Sequence, residues 1–195
     1  MVGTLRFAHP TESCMTSTTP SDIITFWTDA GWDRWYTRDD AFDAEIRARF
    51  LPVYEDARDG KLAAWENTDD GTLALILLLD QFPRNLFRDD PRAFATDAVC
   101  CALARRAIAR GVGDRVDPVM RQFVYMPLMH SEDMADQEHC CALFRATGET
   151  DNLKFADIHA DIIRRFGRFP HRNAVLGRDT TAEEQAFLDA GGFKG

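Results

Sequence analysis

The chain has 195 residues, 45% hydrophobic and 28% charged, with a formal net charge of −9. That length and balance fit one soluble globular domain with a sizeable core. The acidic charge argues against a nucleic-acid or anionic-membrane surface, because phosphate binding driven by counterion release needs a basic face.

The first twenty residues carry Ser, Thr and Pro without a long apolar stretch. They read as a flexible tail over 1–20, neither signal peptide nor membrane anchor, ahead of a single all-helical domain over 21–195. Ser21 and Asp22 can cap a first short helix bearing Ile23, Ile24, Phe26 and Trp27, which Gly31-Trp32 breaks. Asp39 or Asp40 opens a second helix with Phe42, Ile46, Ala48, Phe50 and Leu51 on its apolar side, ended by Gly60. Leu62 to Trp65 begin a short connector. Thr72 to Phe82 is apolar nearly all round, the pattern of a helix buried at the centre of a fold.

Pro91 fits a helix's first turn, and the amphipathic pattern continues to Arg110, where Gly111 and Gly113 stop it. Asp117-Pro118 opens the next helix, with Val119, Phe123, Val124 and Met126. Ser131 reads as an N-cap, placing Glu132 and Asp133 at the positive end of the helix that runs to about Thr147. Asp151 starts a helix that ends at Phe169, with Phe155, His159, Ile162, Ile163 and Phe166 on one face. Thr181-x-x-Glu184 has capping-box form and starts the last helix. Short links between seven to nine helices predict antiparallel hairpins, and no segment alternates as a strand does.

One phrase occurs twice: Gln81-Phe82-Pro83-Arg84-Asn85 and Arg168-Phe169-Pro170-His171-Arg172-Asn173. Proline lacks the N–H that a continuing helix needs and disfavours helical geometry in the residue before it. Each phrase is therefore expected to stop a helix and present an arginine and an asparagine beyond its end. Tyr125-Met126-Pro127-Leu128-Met129-His130-Ser131-Glu132-Asp133 adds polar groups at a third junction. The spacing of the two Phe-Pro phrases does not match a simple tandem helical repeat.

The cysteines are Cys14, Cys100, Cys101, Cys140 and Cys141. An odd count with vicinal pairs and no CxxC forms neither a disulfide framework nor a zinc site, and points to a reducing cytoplasm. The longest apolar run, Leu73 to Leu79, falls far short of the about 20 residues a membrane-spanning helix needs. Lysine occurs only at Lys61, Lys154 and Lys194. The arginine bias suits bidentate anion contacts, and it equally follows from a GC-rich genome.

The three polar phrases, with Leu176-Gly177-Arg178, closely resemble the bacterial domain-of-unknown-function 924 family from about residue 22 to the C-terminus. The resemblance implies an all-helical, tetratricopeptide-like superhelical fold of stacked antiparallel hairpins. It implies no reaction and carries over no catalytic residues. The chain departs from the family pattern at Asp89-Asp90, where glycine and a small residue are commoner, and at Cys140-Cys141, where serine is common.

If the three junctions meet in space, two functional readings follow. In the first, Asp80, Gln81, Arg84, Asn85, Tyr125, Arg168, Arg172 and Asn173 bind a small anionic molecule or a peptide by charge-assisted bonds. In the second, His130 or His171 acts as acid–base beside Glu132 or Asp133 in a metal-independent hydrolase or lyase. The competing structural account has the same arginines capping helix ends and pairing with internal carboxylates, leaving an interaction scaffold. His130-x-Glu132-Asp133 lacks metal-ligand spacing, so neither metal nor cofactor is expected. The sequence is compatible with a homo-oligomer. His159 reads as a hydrogen-bonded core residue. Trp27, Trp32, Trp35, Tyr36 and Phe42 either pack an N-terminal helix pair or line a groove.

Overall fold

The computed structural model describes residues 18–193; Cys14 and most of the expected tail lie outside this range. The described residues are helical, with no strand among them. Helix α1 spans Pro20–Trp35 and is capped by Thr19, whose side chain accepts from the Asp22 N–H. It thus begins one residue before the expected caps, Ser21 and Asp22. Gly31, at φ 68° and ψ 178°, kinks it where a break was expected. Helix α2 (Asp40–Arg58) starts at Asp39, as expected, and runs straight through Pro52.

Helix α3 (Asp69–Ile76) leads into the one place where the chain departs most from expectation. Every residue from Gly71 to Pro83 is buried, as the apolar pattern predicts. Phe82-Pro83 does not stop the helix, however. Leu77–Gln81 widen into a π-turn, in which the Phe82 N–H donates to the Leu77 carbonyl, and α4 (Phe82–Leu86) follows directly. Pro83 has no N–H for the Leu79 carbonyl one turn back. Thr96 Oγ1 donates to that carbonyl instead, at 2.6 Å. The wide turn and the borrowed hydroxyl let the chain pass a proline in the core.

The stretch predicted as one helix from Pro91 is a 3₁₀ turn (Pro91–Phe94) followed by α5 (Asp97–Ala109). Asp97 is thereby the first residue of a helix. Helix α6 (Arg121–Met129) ends at His130. Asp133, not Ser131, caps α7 (Met134–Thr147), accepting from the Ala135 N–H at 2.8 Å. The Ser131 hydroxyl instead donates to Asp136 at 2.6 Å. Helix α8 (Thr150–Phe166) ends three residues earlier than expected, at Gly167, whose φ of 67° is a left-handed cap. Pro170–Arg172 then form a 3₁₀ turn, so the second Phe-Pro phrase starts a helical turn rather than ending one. Helix α9 (Ala182–Asp189) opens with the full capping box of Thr181 and Glu184.

Helices α7 and α8 pack closely across a short link, and α6 packs on α5 and α7. Helix α1 lies on α3, and α2 on α4. This arrangement is compatible with the superhelical stacking expected. One buried apolar cluster runs from Ile23 to Ala160, and a smaller one joins Ile162, Ile163 and Phe169. Phe155, expected to share one face of α8 with His159, Ile162 and Ile163, is exposed while those three are buried. Among the described residues no helix is long and apolar enough to cross a membrane. Cys100, Cys101, Cys140 and Cys141 are buried free thiols, and burial pushes Cys101 up to about 12 and Cys141 up to about 11.

Candidate functional site

The π-turn sets the site's centre. It places Asp80 with 0% exposure against the end of α6, where His130 Nδ1 lies 2.8 Å from Asp80 Oδ1. A carboxylate accepts only, so the neutral imidazole donates from Nδ1 and leaves Nε2 as the acceptor nitrogen. Gln81 Nε2 donates to Asp80 Oδ2 at 2.6 Å, and Arg84 Nη2 lies 3.5 Å from Oδ1. Burial by itself would raise the Asp80 pKa. The charge of Arg84, the charge of His130 once it is protonated in acid, and the hydrogen bonds from His130 and Gln81 reverse that and hold the carboxyl well below the usual range. Burial lowers the pKa of His130, reinforced by Arg84 and opposed by Asp80.

From Arg84 the network crosses to α5. Arg84 Nη1 donates to Asp97 Oδ1 at 3.1 Å, and Nη2 donates to Oδ2 at 3.3 Å. Arg172 Nη1, from the 3₁₀ turn of the second phrase, donates to the same Oδ2 at 3.2 Å. His130, Asp80, Arg84, Asp97 and Arg172 thus form one continuous polar chain linking four segments. With His130 neutral, its two arginines and two aspartates balance.

Arg172 is held in an unusual way. Its side chain is only 8% exposed, and the guanidinium lies 4.7 Å from the Phe94 ring centroid and 4.5 Å from that of Phe169. The rings supply cation–π contact, while the bond to Asp97 is its one hydrogen bond to a side chain among the described residues. Its Nε is buried without a partner, and so is His171 Nδ1 next to it in the chain. Burial and then the charge of Arg84 lower the Arg172 pKa to about 10, which leaves it cationic at neutral pH. Burial and then Arg172 push His171 down to about 4.

His159 completes this side. Its Nδ1 bonds the Phe155 carbonyl at 2.8 Å, as a core histidine should, and its ring centroid is 6.4 Å from that of His130. Phe193 packs on both His159 and His171. Phe193 also lines a groove of about 590 Å³ between α8 and α9, with Leu153, Ile158, Ile162 and Phe187. No group of three or more His, Cys, Asp or Glu among the described residues has the geometry to hold a metal.

Several residues expected at this cluster are held elsewhere by their own partners. Asn85 donates to Asp43 of α2 at 2.8 Å, because the helix it was expected to follow continues and turns it away. Arg168 and Asn173 both bind Glu184, fastening α9 to the turn before it. The Arg168 hydrogen bond brings the Glu184 carboxyl down to about 2. Glu132 accepts from Arg178 at 2.7 Å and from the Phe169 N–H at 2.8 Å. Asp133 is occupied as a helix cap, so Asp80 and not Glu132 or Asp133 orients His130. Tyr125 is buried, its ring 5.6 Å from that of Phe144.

Sequence reasoning missed Asp97, Thr96 and Phe94. The signal was present: Thr-Asp after a proline-initiated turn is a helix-start signature, hidden inside a pattern that otherwise reads as one helix.

The family model described as "Bacterial protein of unknown function (DUF924)" matches residues 23–192. Among solved structures the chain is similar to the protein of unknown function ATU0120 from Agrobacterium tumefaciens. The two are 43% identical over 88% of this chain and 97% of that one, with a TM-score of 0.84. Comparison with curated proteins found no match.

Proposed function

The chain belongs to the DUF924 family of bacterial proteins of unknown function, and within it we propose a helical binding module that takes a small anion on Arg84 and Arg172. The ligand is a phosphate or carboxylate group, either free or carried on a peptide. Arg172 supports this reading most directly. Two aromatic rings pack against its guanidinium, and its buried Nε has no partner. A prealigned fork with free donors is what bidentate anion recognition needs.

Asp97 is the internal competitor. It holds both arginines through one carboxylate, the kind of group the site would recognise. An anion entering a cluster whose charges already balance must displace Asp97 or bring a proton. Neutral His130 and His171 are placed to accept one, so affinity rises as pH falls. The test is stabilisation against heat by phosphate, citrate and an acidic C-terminal peptide. Wild type should gain more than an Arg84→Ala/Arg172→Ala variant; equal gains, or none, rule the binding reading out.

The Asp80–His130 pair favours a second reading, metal-independent hydrolysis of an ester. In it Nε2 removes a proton from water as the water oxygen attacks the carbonyl. Arg172 steadies the oxyanion, and the protonated imidazole returns the proton to the departing alcohol. Turnover of p-nitrophenyl acetate that persists in His130→Gln would rule it out.

A further inference from the structure

The kink at Gly31 falls just before Trp32, in the last part of α1. Trp32 is 52% exposed and Tyr36 48%, with their rings edge-to-face at a centroid distance of 4.8 Å. Trp27 and Trp35 are buried against Phe123, and the Tyr36 ring meets Trp35 edge-on at 6.4 Å, so the exposed pair sits on the rim of the aromatic core. The platform is fixed rather than loose. The Tyr36 hydroxyl donates to Gln122 Oε1 at 2.7 Å, and Gln122 Nε2 donates to the Val119 carbonyl at 2.8 Å. Val119, whose carbonyl Gln122 holds, is itself exposed.

The exposed charges around the platform that lack an ion pair among the described residues, Asp33 and Asp117, are acidic. Glu149, at the start of α8, is near enough that its carboxylate adds to burial in raising the Tyr36 phenol pKa. Glu149 Oε1 is buried without a hydrogen-bond partner, 4.0 Å from Arg121, and its Oε2 accepts from Asn152 at 2.9 Å. Asp117, whose carboxylate accepts from the Val119 N–H, and Asp33 are exposed and have no ion pair among the described residues. The nearby arginines are occupied: Arg34 with Asp39, Arg38 with Asp40 and Asp89, and Arg121 with the Gly113 carbonyl.

We propose that Trp32, Tyr36 and Val119, with Glu149 beside them, form a docking surface for an arginine- or lysine-bearing segment of a partner protein. Aromatic faces attract a cation through the ring quadrupole, most strongly for tryptophan, and the exposed carboxylates of Asp33 and Asp117, with the charge of Glu149, favour a basic side chain there. Trp and Tyr are also the residues that concentrate binding energy at protein interfaces. The charge complementarity selects a basic partner over an acidic one or a second copy of this acidic chain.

The test is a titration of the ¹⁵N-labelled full chain with the peptide acetyl-Gly-Arg-Gly-Arg-Gly-amide, followed through the Trp32 indole N–H and the Tyr36 amide. Saturable shifts are expected, with affinity about threefold or more weaker in Glu149→Gln and lost in Trp32→Ala. The Arg84→Ala/Arg172→Ala variant should bind the peptide as wild type does, which separates this surface from the anion cluster. Three results each overturn the proposal: no saturable shift, equal shifts with the glutamate counterpart of the peptide, or unchanged affinity in either platform variant.

Discussion

Arg84 and Arg172 donate to the same atom, Asp97 Oδ2, at 3.3 and 3.2 Å. One carboxylate therefore ties the helix after the π-turn to the turn that follows α8. Asp97→Asn leaves the buried Arg172 guanidinium without a counter-charge and Arg84 with Asp80 alone. The expected loss is roughly 2–4 kcal/mol, toward the lower part of the range for breaking a buried pair because Asp97 keeps some contact with solvent. Urea unfolding of the variant against wild type measures it.

The bond from Thr96 to the Leu79 carbonyl is short and buried, and it replaces the one Pro83 cannot make. Thr96→Val keeps the shape and removes the hydroxyl. It should cost about 1–2 kcal/mol, because the carbonyl is left unsatisfied in the core. If the variant unfolds at the same urea concentration as wild type, the carbonyl has another partner.

Gly71 stands where α3 begins against the preceding turn. A Cβ there would lie 2.1 Å from the Trp65 carbonyl oxygen and 2.8 Å from Thr68 Oγ1. Backbone cannot give way as a flexible side chain does, so Gly71→Ala should destabilise by about 1–3 kcal/mol despite alanine's better helix propensity. A gain in melting temperature would contradict this packing.

Stability should fall on mild acidification. Burial holds His171 down to about 4 and His159 down to about 3, from an ordinary value of 6.5. The unfolded chain takes up these protons below 6.5 and the folded one does not. Their contribution is complete above 6.5 and is lost progressively as pH falls toward the folded values. The depressed carboxylates, Asp80 and Glu184, act only at and below their ordinary values near 4. Denaturation between pH 7 and 5 therefore reports mainly the histidines. His159→Asn and His171→Asn should flatten the slope in that window, and an unchanged slope would assign it elsewhere.

The all-helical architecture was legible because 3.6-residue periodicity and helix-start residues are local properties. Asp39 and the Thr181–Glu184 box act where the sequence places them. The buried run through Phe82 was legible for the same reason. The π-turn was not. Whether Phe82-Pro83 breaks a helix depends on Thr96, thirteen residues beyond Pro83, reaching the freed carbonyl. The site divides along the same line. Asp80, Arg84, His130 and Arg172 do meet, while Asn85, Arg168, Asn173 and Glu132 answer to Asp43, Glu184 and Arg178. Residue type identified polar groups that need partners, but only the fold assigned the partners.

Asp97 either competes with a ligand for the two arginines or serves only to fasten them. Isothermal titration of Asp97→Asn and wild type with inorganic phosphate distinguishes these roles most directly. If the arginines form an anion site, removing the internal carboxylate tightens phosphate binding by roughly tenfold even though the fold is weakened. Phosphate affinity that is unchanged or lower in Asp97→Asn would contradict that account and leave the cluster as a structural clamp.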